Sequence, residues 1–564
     1  MRLKYMRKLP CSIGKECITV LRDCALKKEL CTGNIVHAHL LQLGLLDNRS
    51  HVANSLIDVY AKCGDLLQAS RLFQSLPYRD VVSWTALIQG FVRHGHSQEA
   101  LRCYQKMQDE GLSPNALTLS YTLRACARMR AADKGQEIHD VITKQGLLKS
   151  NIVLGNQLVD MYAKCGALKK AHHVLLELPA RDIVSWSALI TGYADWGHGQ
   201  EALSCLADMQ QEGLSPDAVT FTSILAVCGS IGELGMGKYI HTEIARRDLL
   251  PNHPALGNSL VDMYAKCGHL ITAEQVFKGL PVPGTIAWSA LISGYVQHGQ
   301  ADKALDCYKQ MECKGLFPNA VTFASVLKAC GCVGAAEIGG QVHEVILKEG
   351  LLANDYVLGS ALVDMYTKCS CLSKAHQVLE QLPAQNVFSW NALMAGYAHQ
   401  GRSDDVLYCF KQMQSKGISP DAVTFSTLLN ICSHNGLVEE GQMFFGIMSS
   451  KFSIEPSTEH YTCMVDLLGR SGHLDTAVTL IKKMPAANHS VIWSALLGAC
   501  QKWDDVHVGK WAFEHAIQVD KYDDTAYIVM IKIYTGAGLD TEAERVKAMR
   551  AEARHEKAQR HCVC

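Results

Sequence analysis

The sequence predicts an all-α solenoid of stacked helical hairpins. Three observations carry that prediction: an internal period of 102 residues, apolar residues at helical spacing inside each period, and no sustained period-two alternation of the kind strands require. The period is seen in Asn54-Ser-Leu-Ile-Asp-Val-Tyr-Ala-Lys-Cys-Gly64, which returns at residues 156–166, 258–268 and 360–370, with a weaker copy at 465–472. Trp84, Trp186, Trp288 and Trp390 keep the same step, and Trp493 falls one residue late. Nine of the 14 prolines lie on two such series, Pro114 to Pro420 and Pro77 to Pro485, so they punctuate elements.

The elements follow in order. Residues 1–14 carry no acid and form a basic N-terminal segment that reads as the remnant of a targeting peptide. The repeat array is assigned to residues 15–490, beginning with a hairpin at 15–49 and a shorter one at 50–80. In the next hairpin, 81–115, Trp84, Leu87, Ile88 and Phe91 stand at i, i+3, i+4 and i+7, and Ala100, Cys103, Tyr104 and Met107 repeat the pattern after a turn at Gly95. Hairpins at 116–151 and 152–182 complete the period, which therefore divides unequally, in a 35-36-31 alternation. Two further triplets reach residue 386, and a final series covers 387 to about 488. Residues 491–559 form degenerate hairpins and 560–564 a tail, giving about sixteen hairpins in one solenoid. A single hairpin cannot bury its apolar face, so each must stack on its neighbours, with the repeated tryptophans as core.

Composition narrows function. Fifty-four Lys and Arg against 55 Asp and Glu leave a net charge of −1, which excludes a basic polyanion coat. No uncharged apolar run approaches the roughly 18 residues a membrane helix needs, so no membrane partner is expected. The 23 cysteines contain no Cys-x-x-Cys pair; Cys63, Cys165, Cys267 and Cys369 form one 102-residue series, and Cys126, Cys228, Cys330 and Cys432 another. They read as small core residues of a reduced protein, and the tight clusters Cys330/Cys332, Cys369/Cys371 and His561/Cys562/Cys564 are weak metal signals. No metal and no cofactor is expected.

Hairpins in this 35-36-31 alternation, carrying Val82-Ser-Trp-Thr-Ala-Leu-Ile88 and Val159-Asp-Met-Tyr-Ala-Lys-Cys-Gly166, closely resemble pentatricopeptide repeat (PPR) proteins of the PLS subclass, in which P-, L- and S-type units alternate. The resemblance implies a right-handed superhelix and sequence-specific binding of single-stranded RNA, about one base per unit. Residues 491–559, with Trp493-Ser-Ala-Leu-Leu-Gly-Ala-Cys500, resemble the E1 and E2 motifs that end such arrays. Many PLS proteins specify cytidine-to-uridine editing sites in organellar transcripts, and some carry a zinc deaminase domain of the DYW type. That chemistry needs His-x-Glu followed by Pro-Cys-x-x-Cys. Here His241-Thr-Glu243 occurs without any Cys-x-x-Cys, and His241 shares a 102-residue step with His37, His139 and His343, so those histidines read as structural. The expectation is a non-catalytic factor relying on a deaminase supplied in trans, acting in mitochondria in preference to plastids. Splicing, stability or translation are alternative outcomes of the same binding.

In the family, bases are read by the fifth and last residues of a unit and stacked on the second. Carried onto this chain, the P-type pairs are Thr85/Asn115, Ser187/Asp217, Ser289/Asn319 and Asn391/Asp421. The S-type pairs are Asn54/Asp80, Asn156/Asp182, Asn258/Gly284, Ser360/Asn386 and Thr462/Asn488. The stacking residues are Val82, Val184, Ile286 and Phe388 in P units, with Val153 and Val357 in S units. The competing assignment makes each Asn or Asp an N-cap and each Ser or Thr filler. With Thr/Ser–Asn taken for adenine, Thr/Ser–Asp for guanine and Asn–Asp for uracil, and L units left blank, the implied site is U-A-n-U-G-n-n-A-n-A-U-n-A. Tetratricopeptide scaffolds, the nearest alternative, keep one uniform period of about 34 residues.

Overall fold

The structure is a computed structural model that describes residues 10–42, 50–353, 355–484 and 490–561. Among the described residues there are 32 α-helices, two short 3₁₀ turns and no strand, which is sixteen helical pairs. The chain is thus an all-α solenoid protein. It divides into two compact units, Met1–Gly294 and Tyr295–Cys564.

In the first unit one full triplet shows how the period arises. The 35-residue hairpin, labelled P-type by its resemblance, is Val81–Arg93 and Ser97–Asp109; the 36-residue one, labelled L-type, is Ala116–Met129 and Ala132–Lys144; the 31-residue one, labelled S-type, is Ile152–Lys164 and Leu168–Glu177. The last helix has only 10 residues, against 13 for the other second helices. It stops at Leu178, whose backbone is extended ahead of Pro179, and this makes the S-type unit short. The L-type unit is long because a 3₁₀ turn, Leu147–Lys149, precedes Asn151, the N-cap of the next helix.

Successive first helices pack on one another, so Ser50–Cys63, Val81–Arg93, Ala116–Met129 and Ile152–Lys164 form a continuous row, with each second helix laid behind. Close approach within that row depends on glycine. A Cβ on Gly192 would lie 2.5 Å from the Ala163 Cβ, and Gly90 meets Ala61 in the same way at 2.6 Å. The second unit repeats the scheme from Ala301–Cys313 to Asp540–His561.

The repeated tryptophans Trp84, Trp186, Trp288, Trp390 and Trp493 are core residues, each exposing 2% or less. Trp84 packs edge-on against Phe73 with ring centroids 4.4 Å apart, and Trp288 does the same on Phe277 at 4.5 Å. The indole of Trp84 donates to Glu110 Oε2 (3.1 Å) and that of Trp186 to Glu212 Oε2 (2.9 Å). The two cysteine series differ. Cys126, Cys228, Cys330 and Cys432 are fully buried, and burial raises the Cys126 thiol to about 12. Cys165, Cys267 and Cys369 are half-buried at helix C-caps, with each thiol donating to the carbonyl of Cys126, Cys228 or Cys330 respectively.

The histidine series is structural. His37, His139, His241 and His343 each place Nδ1 2.7–3.1 Å from the hydroxyl of Tyr60, Tyr162, Tyr264 and Tyr366. Glu243, next to His241, is tied instead to Arg246 and Arg247. Among the described residues no group of three His, Cys, Asp or Glu is placed to hold a metal ion, and no helix is long and apolar enough to cross a membrane.

Candidate nucleic-acid interface

The exposed edge of the first-helix row is set by the first turn of each helix. The last residue of one unit is the N-cap of the next unit's first helix. Asp80, Asn115, Asp182, Asp217, Asn319, Asn386 and Asp421 each accept from a backbone N–H three residues on. The capping assignment is therefore correct for these residues.

Capping leaves room for a second bond, and the structure uses it to join fifth and last residues. In S-type units the contact is direct: Asn54 Nδ2 donates to both carboxylate oxygens of Asp80 (3.0 and 3.1 Å), and Asn156 Nδ2 does so to Asp182 (both 3.0 Å). Ser360 Oγ donates to Asn386 Oδ1 at 3.2 Å. In P-type units a buried threonine, third in the following unit, joins the pair. Thr118 lies 2.6 Å from Thr85 Oγ1 and donates to Asn115; Thr220 lies 2.6 Å from Ser187 and donates to Asp217. Asn391 donates directly to Asp421 (2.9 Å) and accepts from Thr424 (2.7 Å). Side chains distant in sequence thus form a polar cluster at each of these junctions.

Three further pairs complete the set. Ser289 is buried and donates to the Thr285 carbonyl, and Asn319 caps the helix that follows it. Asn258 is half-buried, and Gly284 opposite it in the scheme has no side chain to pair with. Thr462 donates to the Thr458 carbonyl, while Asn488 lies outside the described residues.

Two acceptors at these junctions are unsatisfied. The carboxamide oxygens of Asn54 and Asn156 are buried without a hydrogen-bond partner in the structure. Leaving such a group unpaired costs about 1–3 kcal/mol.

Beside most of these junctions stands an apolar side chain that the core does not use. Val82, Val153, Val184, Ile286, Val357 and Phe388 are between 51% and 65% exposed, although they sit one or two residues from fully buried positions. Sequence reasoning left out the same position of the L-type units, where Leu117, Val219, Val321 and Val423 are 52–61% exposed. It also missed Thr118, Thr220 and Thr424. Their signal was present, since all three stand on the 102-residue lattice, but a threonine near a helix start reads as local capping.

Paired helices in a fixed period, with polar clusters and apolar shelves recurring at the starts of the first helices in each unit, define an α-helical repeat protein. The chain belongs to the pentatricopeptide repeat family. The profile of the PPR repeat family matches residues 79–128, 181–230, 283–332 and 385–451, and that of the PPR repeat matches 52–81, 258–281 and 459–489. Among relatives, a mitochondrial pentatricopeptide repeat-containing protein of Arabidopsis thaliana is 33% identical over 100% of this chain and 64% of its own length. A second, putative pentatricopeptide repeat-containing protein of the same plant is 34% identical over 92% of this chain and 76% of its own. The chain therefore spans just under two thirds of the first relative's length. Among solved structures, the crystal structure of the pentatricopeptide repeat protein PPR10 from maize aligns over 99% of this chain and 96% of its own, with a TM-score of 0.51 and 17% identity.

Proposed function

We propose that this protein binds single-stranded RNA sequence-specifically, each P- or S-type unit reading one base through its fifth and last residues. The observation that carries the reading is the coupling of those residues into hydrogen-bonded clusters beside exposed apolar side chains, as at Asn156–Asp182 next to Val153. Unstacked bases offer both a hydrogen-bonding edge and a π-face, and this surface has a partner for each. The cap serves the readout. Holding Asp182 at the helix start fixes the carboxylate that in turn orients the Asn156 amide.

The finer reading is a PLS-type array ending in E-type motifs that selects a cytidine for editing, the deaminase being supplied by a separate protein. Its support is the 35-36-31 alternation and the degenerate hairpins after residue 490. Mitochondria are the preferred compartment because relatives named mitochondrial lie at 33% and 32% identity, although a chloroplastic relative lies at 32% as well. Titration of U-A-n-U-G-n-n-A-n-A-U-n-A against a shuffled oligonucleotide tests the RNA reading. Tighter, saturable binding of the designed site supports it; equal binding of the two rejects the base assignments, and no binding of either favours a peptide scaffold.

A further inference from the structure

The fourth L-type unit, residues 422–457, departs from the other L-type units at its junction with the next unit. There the third residue of the following helix is His460, where the corresponding positions elsewhere are Leu154, Leu256 and Leu358. His460 is 1% exposed and joins the unit's fifth and last residues. Its Nε2 lies 3.1 Å from Ser426 Oγ and 2.8 Å from the Ala422 carbonyl, while Nδ1 lies 3.0 Å from the Ser457 backbone N and 2.7 Å from Ser457 Oγ. This is the part played at P-type junctions by Thr118, Thr220 and Thr424.

The partners fix the ring's proton. A carbonyl only accepts, so Nε2 carries hydrogen; a backbone N–H only donates, so Nδ1 is bare. Ser426 Oγ then accepts from Nε2 and keeps its own hydroxyl proton to donate. Ser426 lines a cleft of about 970 Å³ together with Thr427, Asn430, Glu459, Thr462 and Val491. That volume is at the upper end of the roughly 300–1,000 Å³ typical of ligand sites. Glu459 occupies the second position of its unit, where Val153 and Val357 stand in others, and it is exposed. A carboxylate at the place of an apolar shelf is an acceptor for an amine.

We propose that this L-type unit reads a nucleobase at the twelfth position of the site, which the code leaves open, with Ser426 donating to a ring nitrogen and Glu459 accepting from the adjacent exocyclic amine. Only adenine and cytosine present an amine beside a bare ring nitrogen on the pairing edge, so these two are the bases selected. His460 is a positioning residue that holds the Ser426 hydroxyl in place. The inference rests on the RNA reading above, and the experiment separates the two.

Full-length protein is titrated with four oligonucleotides differing only at the twelfth position, and with a set varied at the eleventh, read by Asn391 and Asp421. Adenine and cytosine at the twelfth position are expected to bind about three- to tenfold more tightly than uracil or guanine, the worth of one net hydrogen bond. Ser426→Ala and Glu459→Val should each flatten that preference while the eleventh-position preference for uracil stays. His460→Leu, checked by thermal melting for an intact fold, should do the same. Four equal affinities at the twelfth position with discrimination at the eleventh overturn this inference alone, as does a preference for uracil or guanine. A preference unchanged in Ser426→Ala also overturns it. No discrimination at either position rejects the RNA reading and this inference with it.

Discussion

Trp186 and Trp390 occupy equivalent places two triplets apart, yet their indole nitrogens differ, and this allows a controlled test of what holds a P-type unit together. Trp186 donates to Glu212, which Arg181 also grips at 2.7 Å. Trp390 has Lys416 near its ring in place of such a carboxylate; its indole N–H is buried without an acceptor, and the Lys416 ammonium lies 5.3 Å from the ring. Removing the Trp186 ring altogether, as Trp186→Ala, takes away some 150–250 Å² of buried surface, an upper bound of about 4–6 kcal/mol. Measured aromatic-to-alanine changes suggest about 3–5 kcal/mol. Trp186→Phe keeps most of the ring and loses the bond to Glu212. Because both Glu212 and Arg181 are about 30% exposed at their side chains, that bond is worth only ~1 kcal/mol. Trp390→Phe loses no such bond and removes an unsatisfied donor, so it should cost about 1 kcal/mol less than Trp186→Phe. Native-state hydrogen exchange of the amides in Ile183–Asp195 and Val387–His399 reads the local stability of each helix, which suits an array whose repeats need not unfold together. Unchanged exchange in the helix of Trp186→Ala, or greater damage from Trp390→Phe than from Trp186→Phe, would refute this assignment of stabilising contacts.

Other consequences are equally specific. Gly192→Ala gains ~1 kcal/mol of helix propensity but sets a methyl 2.5 Å from the Ala163 Cβ, a clash worth about 1–3 kcal/mol, so a lowered melting temperature is expected and a raised one refutes the close packing. Burial depresses the basicity of His37, His139, His241 and His343 below the ordinary value of 6.5, so the unfolded chain takes up protons that the folded chain resists. Stability is then unaffected by these groups above that value and falls as pH drops below it. Replacing the four by glutamine should flatten that part of a stability–pH profile, and an unchanged slope contradicts the assignment.

The array was legible in the sequence because every level of it shares one period. Helical spacing from Trp84 to Phe91, the glycine and proline punctuation, and the stacked copies all point to the same hairpins. The fifth and last residues were legible only through family likeness, since Asn54 and Asp80 stand at the heads of different helices and nothing local joins them. What sequence could not supply was the chemistry of the junctions. Capping and readout looked like rivals at Asp80 because each residue was counted once, whereas the structure gives the carboxylate to the helix N–H and to Asn54 together. Thr118 and His460 were passed over for a related reason: a polar residue at the third helical position has a familiar local explanation, and its bond to the preceding unit appears only after stacking.

The claim that these clusters read bases is tested most directly at Asn391. Its amide donates to Asp421, accepts from Thr424, and is assigned to the eleventh position of the proposed site. Affinities of wild-type protein and Asn391→Thr are measured for four oligonucleotides that differ only there. Wild type is expected to prefer uracil, and the variant to move toward guanine while its affinity for the uracil site drops by about 1–3 kcal/mol. Equal affinity of the wild type for all four bases, or an identical ranking in the variant, contradicts base reading by these clusters.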